Sequence, residues 1–293
     1  MRILPSLFLS IALGLSGLNA QSPAPGGHTA TAQFSLSAEG SLTRAGAPAG
    51  EAGVNAFTVN WRSTVPLSAA TRLVYGLNGE RFDFDRAAVV AVPDKLQEIS
   101  VVLGASHRLN PQWMLSGAIR PGLYGDSEGN SGDAFNAPLL LLATWRRSPE
   151  LAWAFGLRVD GFSERAVVPL VGVNWKFAPA WEFVLGVPRA GVSYAAGDAL
   201  MLTLGVSMQG GNYHVSRDPR PAALSVGPRL DDTKLDYHEI RVGLAADWKL
   251  NDVFALTAEA GVITDQKFDY FDRRYTLDGG GIGFFTLGLT GRL

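Results

Sequence analysis

From Thr31 onward the chain repeats one unit: a run of roughly ten residues alternating apolar with small or polar side chains, a turn, and a second alternating run that returns. The stretch before the C-terminal strand shows it best. His238, Ile240, Val242, Leu244, Ala246, Trp248 and Leu250 share one face, and Glu239, Arg241, Gly243, Ala245, Asp247 and Lys249 the other. Asn251-Asp252 makes the turn, and Phe254, Leu256, Ala258, Ala260 and Val262 return opposite Thr257, Glu259 and Gly261. Period two is the strand signature. Similar pairs recur around Pro66, Asn110-Pro111, Ser148-Pro149-Glu150, Ala178-Pro179 and Gly197-Asp198.

The pattern predicts fourteen strands, starting near residues 31, 53, 69, 95, 112, 137, 151, 167, 181, 190, 199, 236, 253 and 282. The total falls to twelve if the short runs around Pro188 are one irregular element. Between the short turns lie longer connections richer in Gly, Pro and charge, at 45–52, 78–94, 122–136, 211–234 and 271–280. Short turns on one side and longer loops on the other are the asymmetry of an outer-membrane barrel, and an even strand count places both ends on the periplasmic side.

After residue 20 no apolar segment approaches the roughly 20 residues of a spanning helix; the longest is Pro138 to Trp145. A chain of this kind can enter a bilayer only as a closed barrel, the other way to satisfy every backbone group in lipid. The expected fold is therefore all-β, a transmembrane antiparallel up-and-down β-barrel over residues 31–293. Residues 1–20 read as a secretory signal, with Arg2 before an apolar run from Ile3 to Leu18 that Pro5 and Gly14 interrupt, and cleavage after Ala20. Residues 21–30 are expected to form a short periplasmic segment, too short for an N-terminal plug. Any plug must then come from a loop, and 211–234 is the longest candidate.

Composition narrows the picture. The absence of Cys excludes both a disulfide framework and a lipid-anchored N-terminus. A net charge of −2 gives no basis for a nucleic-acid partner.

Aromatic placement supports a membrane. All seven Trp, namely Trp61, Trp113, Trp145, Trp153, Trp175, Trp181 and Trp248, fall at the short-turn end of a strand, as an interfacial girdle would. Tyr75, Tyr124, Tyr213, Tyr237, Tyr270 and Tyr275 are expected at the opposite rim. Phe285, Leu287, Leu289, Gly291 and Leu293 share the lipid face of the last strand. The opposite face carries Glu98, Arg120, Arg158, Asp160, Lys176, Glu182, Glu239, Arg241, Asp247, Lys249 and Glu259, the candidate lumen-lining residues. Those charges either line a diffusion path or pair across strands and close it.

The stretch from Trp181 to Tyr213 reads W-x-F-x-L-x-V-P-R, then S-Y, L-x-L-G and G-G-N-Y. It resembles an uncharacterised family of Gram-negative outer-membrane β-barrels grouped only as a domain of unknown function. The resemblance implies location and fold, and neither a substrate nor catalytic residues.

Candidate chemistry is sparse. His107 and His238 are expected at the two rims, but no Ser lies beside either with an orienting carboxylate, which a nucleophile needs. Asp126, Glu128, Asn130 and Asp133 begin like a calcium loop, but Ser131 and Ala137 stand where the required Gly and bidentate Glu belong. Gly279-Gly280-Gly281 opens no helix and so makes no phosphate cradle. No cofactor, metal or catalytic residue is expected. The partners expected are outer-membrane lipid and, during insertion, the barrel-assembly machinery. The leading functional expectation is a passive pore or small-solute channel; the alternative is a non-conducting barrel with a structural, lipid-handling or surface-binding role.

Overall fold

A computed structural model describes residues 27–126, 132–224 and 227–292. The signal segment and most of the calcium-like loop lie outside the described residues. The strands are β1 (His28–Ser37, continuing as Gly40–Arg44), β2 (Ala47–Pro66), β3 (Thr71–Arg86), β4 (Lys95–Arg108) and β5 (Trp113–Ile119 and Gly122–Gly125). Next come β6 (Phe135–Asn136 and Leu139–Arg146), β7 (Leu151–Val159), β8 (Val167–Ala178), β9 (Trp181–Leu185) and β10 (Arg189–Ala195). Last are β11 (Leu200–Val215), β12 (Thr233–Lys249), β13 (Phe254–Tyr270) and β14 (Tyr275–Gly279 and Ile282–Arg292). Each pairs antiparallel with its neighbours in sequence, and β1 closes on β14 from Thr29↔Arg292 to Ser37↔Phe284. The result is a closed fourteen-strand barrel, with β9 and β10 as separate short strands on either side of Pro188.

The lower part of the barrel follows the alternation. Leu73, Tyr75 and Leu77 on β3, Val242 and Leu244 on β12, and Phe285, Leu287 and Leu289 on β14 are exposed on the outer wall. In water such a surface would be a large apolar patch; around a barrel it is the lipid-facing band. The Trp residues gather at the lower rim. Trp113 stacks on Trp145 at 6.1 Å, Trp61 meets Tyr75 edge-on, and Trp181 lies 4.8 Å from Tyr194.

The upper part differs from expectation. The connections read as loops at 45–52, 78–94 and 271–280 are mostly strand: β2 begins at Ala47, β3 runs on to Arg86, and β13 turns into β14 at 271–274. The first strand also begins earlier, at His28. Along these extensions the hydrophobic phase inverts. On β3 the outward residues change from Leu73, Tyr75 and Leu77 to Arg81, Asp83 and Asp85, while Phe82 and Phe84 turn inward and are buried. On β12 Lys234, Asp236 and His238 stand on the outward register while Leu235 and Tyr237 are fully buried. On β13 a register shift near Thr264 precedes the change to inward Phe268 and Tyr270. A wall that is apolar outside in lipid must become apolar inside once it rises into water.

The upper ring is also narrower. β7 to β10 stop lower, and the top of β5 pairs in parallel with the top of β11 at Gly125↔His214. This contact is backed by Asp126 N donating to His214 O at 3.2 Å and by Ser216 N and Oγ donating to Asp126. A Cβ on Gly125 would lie 3.0 Å from His214 O, a tight contact that a glycine avoids. On β11, Gly210 at φ +113 has the backbone of β12 within 2.2 Å of where a Cβ would sit. Opposite this seam β14 pairs with β1 at Asp278↔Thr43. The upper cylinder is thus built from β1–β5 and β11–β14.

Candidate functional site

The interior has three levels. The upper level is an apolar plug. Phe82, Phe84, Tyr237 and Phe268 pack with ring centroids 4.8–5.3 Å apart at the Phe82–Tyr237, Phe84–Tyr237, Phe84–Phe268 and Tyr237–Phe268 contacts. Leu42, Val54, Leu96, Tyr213, Tyr270 and Leu277 complete a core of ordinary soluble-protein character. Tyr124, Tyr213, Tyr237, Tyr270 and Tyr275 therefore correct the expectation of an outer tyrosine girdle: they point inward and are buried. Tyr75 corrects it too, lying beside Trp61 at the lower rim.

Two connections seal the top. Val90, Ala91 and Val92 of 87–94 are buried, and Tyr270 Oη donates to Ala91 O at 2.9 Å. Leu230 of 216–232 is fully buried in the same core. That second connection is held by Asp218, which accepts from Arg220 Nε at 3.0 Å and Nη2 at 2.9 Å and from Leu230 N at 3.0 Å. Burial works against the Asp218 charge. The Arg220 bonds and the backbone N–H groups outweigh it and hold this carboxyl below the ordinary carboxylate range. The expectation of a plug from 211–234 captures half of the closure; the 87–94 segment was not anticipated.

The middle level is polar and paired. Glu98 accepts from Asn78 Nδ2 at 2.8 Å, Ser100 Oγ at 2.6 Å and Arg120 Nη1 at 3.2 Å. Glu239 accepts from Tyr237 Oη at 2.5 Å, Arg241 Nε at 2.8 Å and Gln266 Nε2 at 3.2 Å, and Arg241 Nη1 donates to Ser35. Asp160 is paired with Arg158 and accepts from Asn136 Nδ2 at 2.8 Å, Phe162 N at 2.9 Å and Asn212 Nδ2 at 2.9 Å. Six of the eleven predicted lumen residues, Glu98, Arg120, Arg158, Asp160, Glu239 and Arg241, thus meet as buried pairs on the wall. Of the two readings left open by the sequence, pairing describes this level.

The lower level is wetter. Lys176 and Lys249 are exposed, with Lys249 Nζ 2.7 Å from Asp252 in the turn, and Glu182 and Asp247 are half-buried. Asp247 accepts from Thr257 at 2.6 Å. Glu259 reaches Arg189 at 3.2 Å, joining β13 to β10.

One sector departs from this pattern. Part of the inner face of β6–β8 is apolar: Leu140, Leu142, Ala154 and Leu170 stand inward there, with Arg158 above them and Asn174 and Lys176 below. With Val171, Gly172 and Val187 they line a small hollow of ≈ 10 Å³, room for about one water. The hollow lies at a break in the wall. Among the described residues, β8 pairs with β9 only up to Val173↔Leu185, and β10 pairs with β11 only up to Arg189↔Ser207. Above the 186–188 turn, β8 from Val167 to Gly172 and β11 from Met208 to Tyr213 carry no strand between them, a window about 20 Å tall. Pro169 occupies the free edge of β8, where a sheet tolerates a residue without an N–H. The 160–166 connection forms the lintel, tied to β11 by Asp160–Asn212 and to β12 by Lys234 Nζ donating to Gly161 O at 2.9 Å.

His107 Nδ1 lies 2.8 Å from Thr71 Oγ1 at the lower rim. His238 sits between Asp236 at 3.2 Å and Asp265 at 3.6 Å, on the upper outer wall. Among the described residues no serine hydroxyl is hydrogen-bonded to either imidazole. Among the described residues no group of three or more His, Asp or Glu is placed to hold a metal ion.

A closed antiparallel barrel with an apolar band, an indole rim and a polar interior defines the class: an outer-membrane β-barrel. The chain belongs to the family described as Domain of unknown function (DUF6268), which matches residues 70–276. No curated protein matches it. Among solved structures it is similar to the COG4313 outer membrane channel from Pseudomonas putida F1, at 10% identity and TM-score 0.53, covering 100% of each chain. It is also similar to a deltaS2S3 mutant of the monoaromatic hydrocarbon channel TodX, at 10% identity and TM-score 0.52, covering 95% of this chain and 94% of that one. At such identities the likeness is one of fold.

Proposed function

We propose that the protein is a passive, non-enzymatic channel for small, weakly polar solutes in the outer membrane, closed to ions at rest. The observation that carries this reading is the apolar lane on the inner face of β6–β8, which ends at the window beside β11. An open ion pore needs a continuous wet path; here the plug and the paired middle level interrupt it. A lane of leucines beside the polar middle level suits a solute that water does not hold strongly. The monoaromatic hydrocarbon channel among the similar folds accords with this. The surroundings implied are outer-membrane lipid, reached through a cleaved signal and the barrel-assembly machinery.

The test pairs two measurements on the purified protein. In planar bilayers it should show no steady ion-conducting state. In proteoliposomes it should speed the uptake of small aromatic solutes above that of protein-free vesicles. A sustained open conductance would overturn the closed-to-ions reading. Silence to ions with no gain in uptake would favour a non-conducting barrel with a structural, lipid-handling or surface-binding role, which the sealed outer mouth also suits.

A further inference from the structure

Arg158 stands above the hollow beside the window, next to Leu140 of its lining but not itself part of that lining. Arg158 faces inward and pairs in register with Leu140 on one side and Val168 on the other, one inward position above Leu142 and Leu170. Its residue is 5% exposed, and its Nη2 is committed to Asp160. Its Nη1 is buried and has no hydrogen-bond partner. A buried guanidinium N–H without an acceptor is costly, and an apolar solute in the hollow would leave it so.

The geometry points to a specificity for apolar molecules that carry one neutral hydrogen-bond acceptor, with the acceptor on Arg158 Nη1 and the apolar body against Leu140, Leu142 and Leu170. This rests on the channel reading above and names its solute class. Three features select the class. The leucine wall excludes strongly hydrated molecules. The free N–H rewards an oxygen acceptor over a pure hydrocarbon. The charge balance disfavours an anion: Arg158 is already neutralised by Asp160, as Arg120 is by Glu98 and Arg241 by Glu239. The hollow has room for only about one water, so the solute enters by spreading the window, whose β8 edge has no strand partner among the described residues.

The test uses three probes of similar shape, acetophenone, isopropylbenzene and benzoate, and the full-length barrel in lipid nanodiscs. Binding is corrected for partition into protein-free nanodiscs. Acetophenone should bind about tenfold tighter than either of the others, the value of one satisfied buried donor. Arg158→Lys keeps the charge for Asp160 but offers a single point donor, so the preference should fall to about twofold or less. Leu142→Trp, which fills the hollow and leaves Arg158 in place, should abolish binding of both neutral probes. Circular dichroism checks that each variant still forms a barrel. Equal binding of acetophenone and isopropylbenzene, or a preference that survives Arg158→Lys in a folded barrel, would overturn the inference and leave the channel reading standing. Failure of any neutral probe to bind the unaltered protein would overturn both.

Discussion

The two halves of β3 obey opposite rules although no turn separates them. Between Leu73 and Asn78 the large apolar residues Leu73, Tyr75 and Leu77 point out, and Val74, Gly76 and Asn78 point in; between Arg81 and Phe84 the polar residues point out and the apolar ones in. The pleat is unchanged, and the side chains still alternate every two residues. What changes is the solvent outside. The lower half faces acyl chains and must hide polar atoms from them. The upper half faces water and builds a core as a soluble barrel would. β12 switches in the same way, between Tyr237 and Ile240. The lesson is that interior and exterior are assigned by surroundings, and one strand can serve both.

The contrast can be broken in graded ways. The largest effect is expected in the upper core. Phe84→Ala removes a ring that contacts Tyr237 and Phe268 and should cost about 3–5 kcal/mol in urea unfolding followed by circular dichroism. The same variant should add an ionic leak in planar bilayers; an unchanged, silent barrel would show that the plug does not seal the mouth. Next comes the lipid face. Leu244→Arg, on an exposed position of β12, should cost about 2–4 kcal/mol if that residue lies near the bilayer midplane. A cost near zero there would mean that the band does not meet acyl chains.

A smaller, pH-dependent effect belongs to the 216–232 connection. The Asp218 pKa is lowered in the folded state, so its stabilisation is present above the unfolded carboxylate pKa of about 3.9 and is lost as pH falls through the folded value. Hydrogen-exchange protection of the Leu230 amide, which donates to Asp218, should therefore drop in acid below about pH 4 while the membrane strands keep theirs. Equal protection at pH 6 and pH 3 would contradict that anchor. The smallest effect is the outward face of the upper half. Arg81→Leu breaks only a half-exposed pair with Asp83 and should change stability by about 0.5 kcal/mol or less. Its contrast with Leu244→Arg is the sharpest test that the two outward faces meet different solvents.

Much of the fold was legible along the chain. The hairpins flanking Asn110-Pro111, Ser148-Pro149 and Asn251-Asp252 stand where alternation and turn residues put them. The indole rim follows from residue type and spacing. The strand extensions at 47–52, 79–86 and 275–279 were hidden because their phase is inverted: a search for outward apolar residues reads Arg81, Asp83 and Asp85 as a loop. The buried tyrosines were misassigned for the same reason. A signal was present in Phe82-x-Phe84 and Phe268-x-Tyr270, alternating apolar pairs inside charged stretches, which a phase-blind reading of period two would have caught.

The candidate site was only partly legible. Arg158 and Asp160 stand two residues apart, so their shared inward face could be read directly. Their meeting with Asn136 and Asn212 could not, because β6, β7 and β11 come together only when β9 and β10 stop short.

By itself the sequence determined the local facts: strand positions, turn positions, the outward face of each membrane segment and the rim of indoles. All of these depend on neighbours within a few residues, where the two-residue period acts. Only the tertiary structure decided that the ring narrows above the membrane, that Val90–Val92 and Leu230 fold into its mouth, that the inward charges pair, and that a window opens between β8 and β11. Those outcomes depend on which strands meet at which height, and pairing between segments far apart in the chain leaves no periodic mark in either of them.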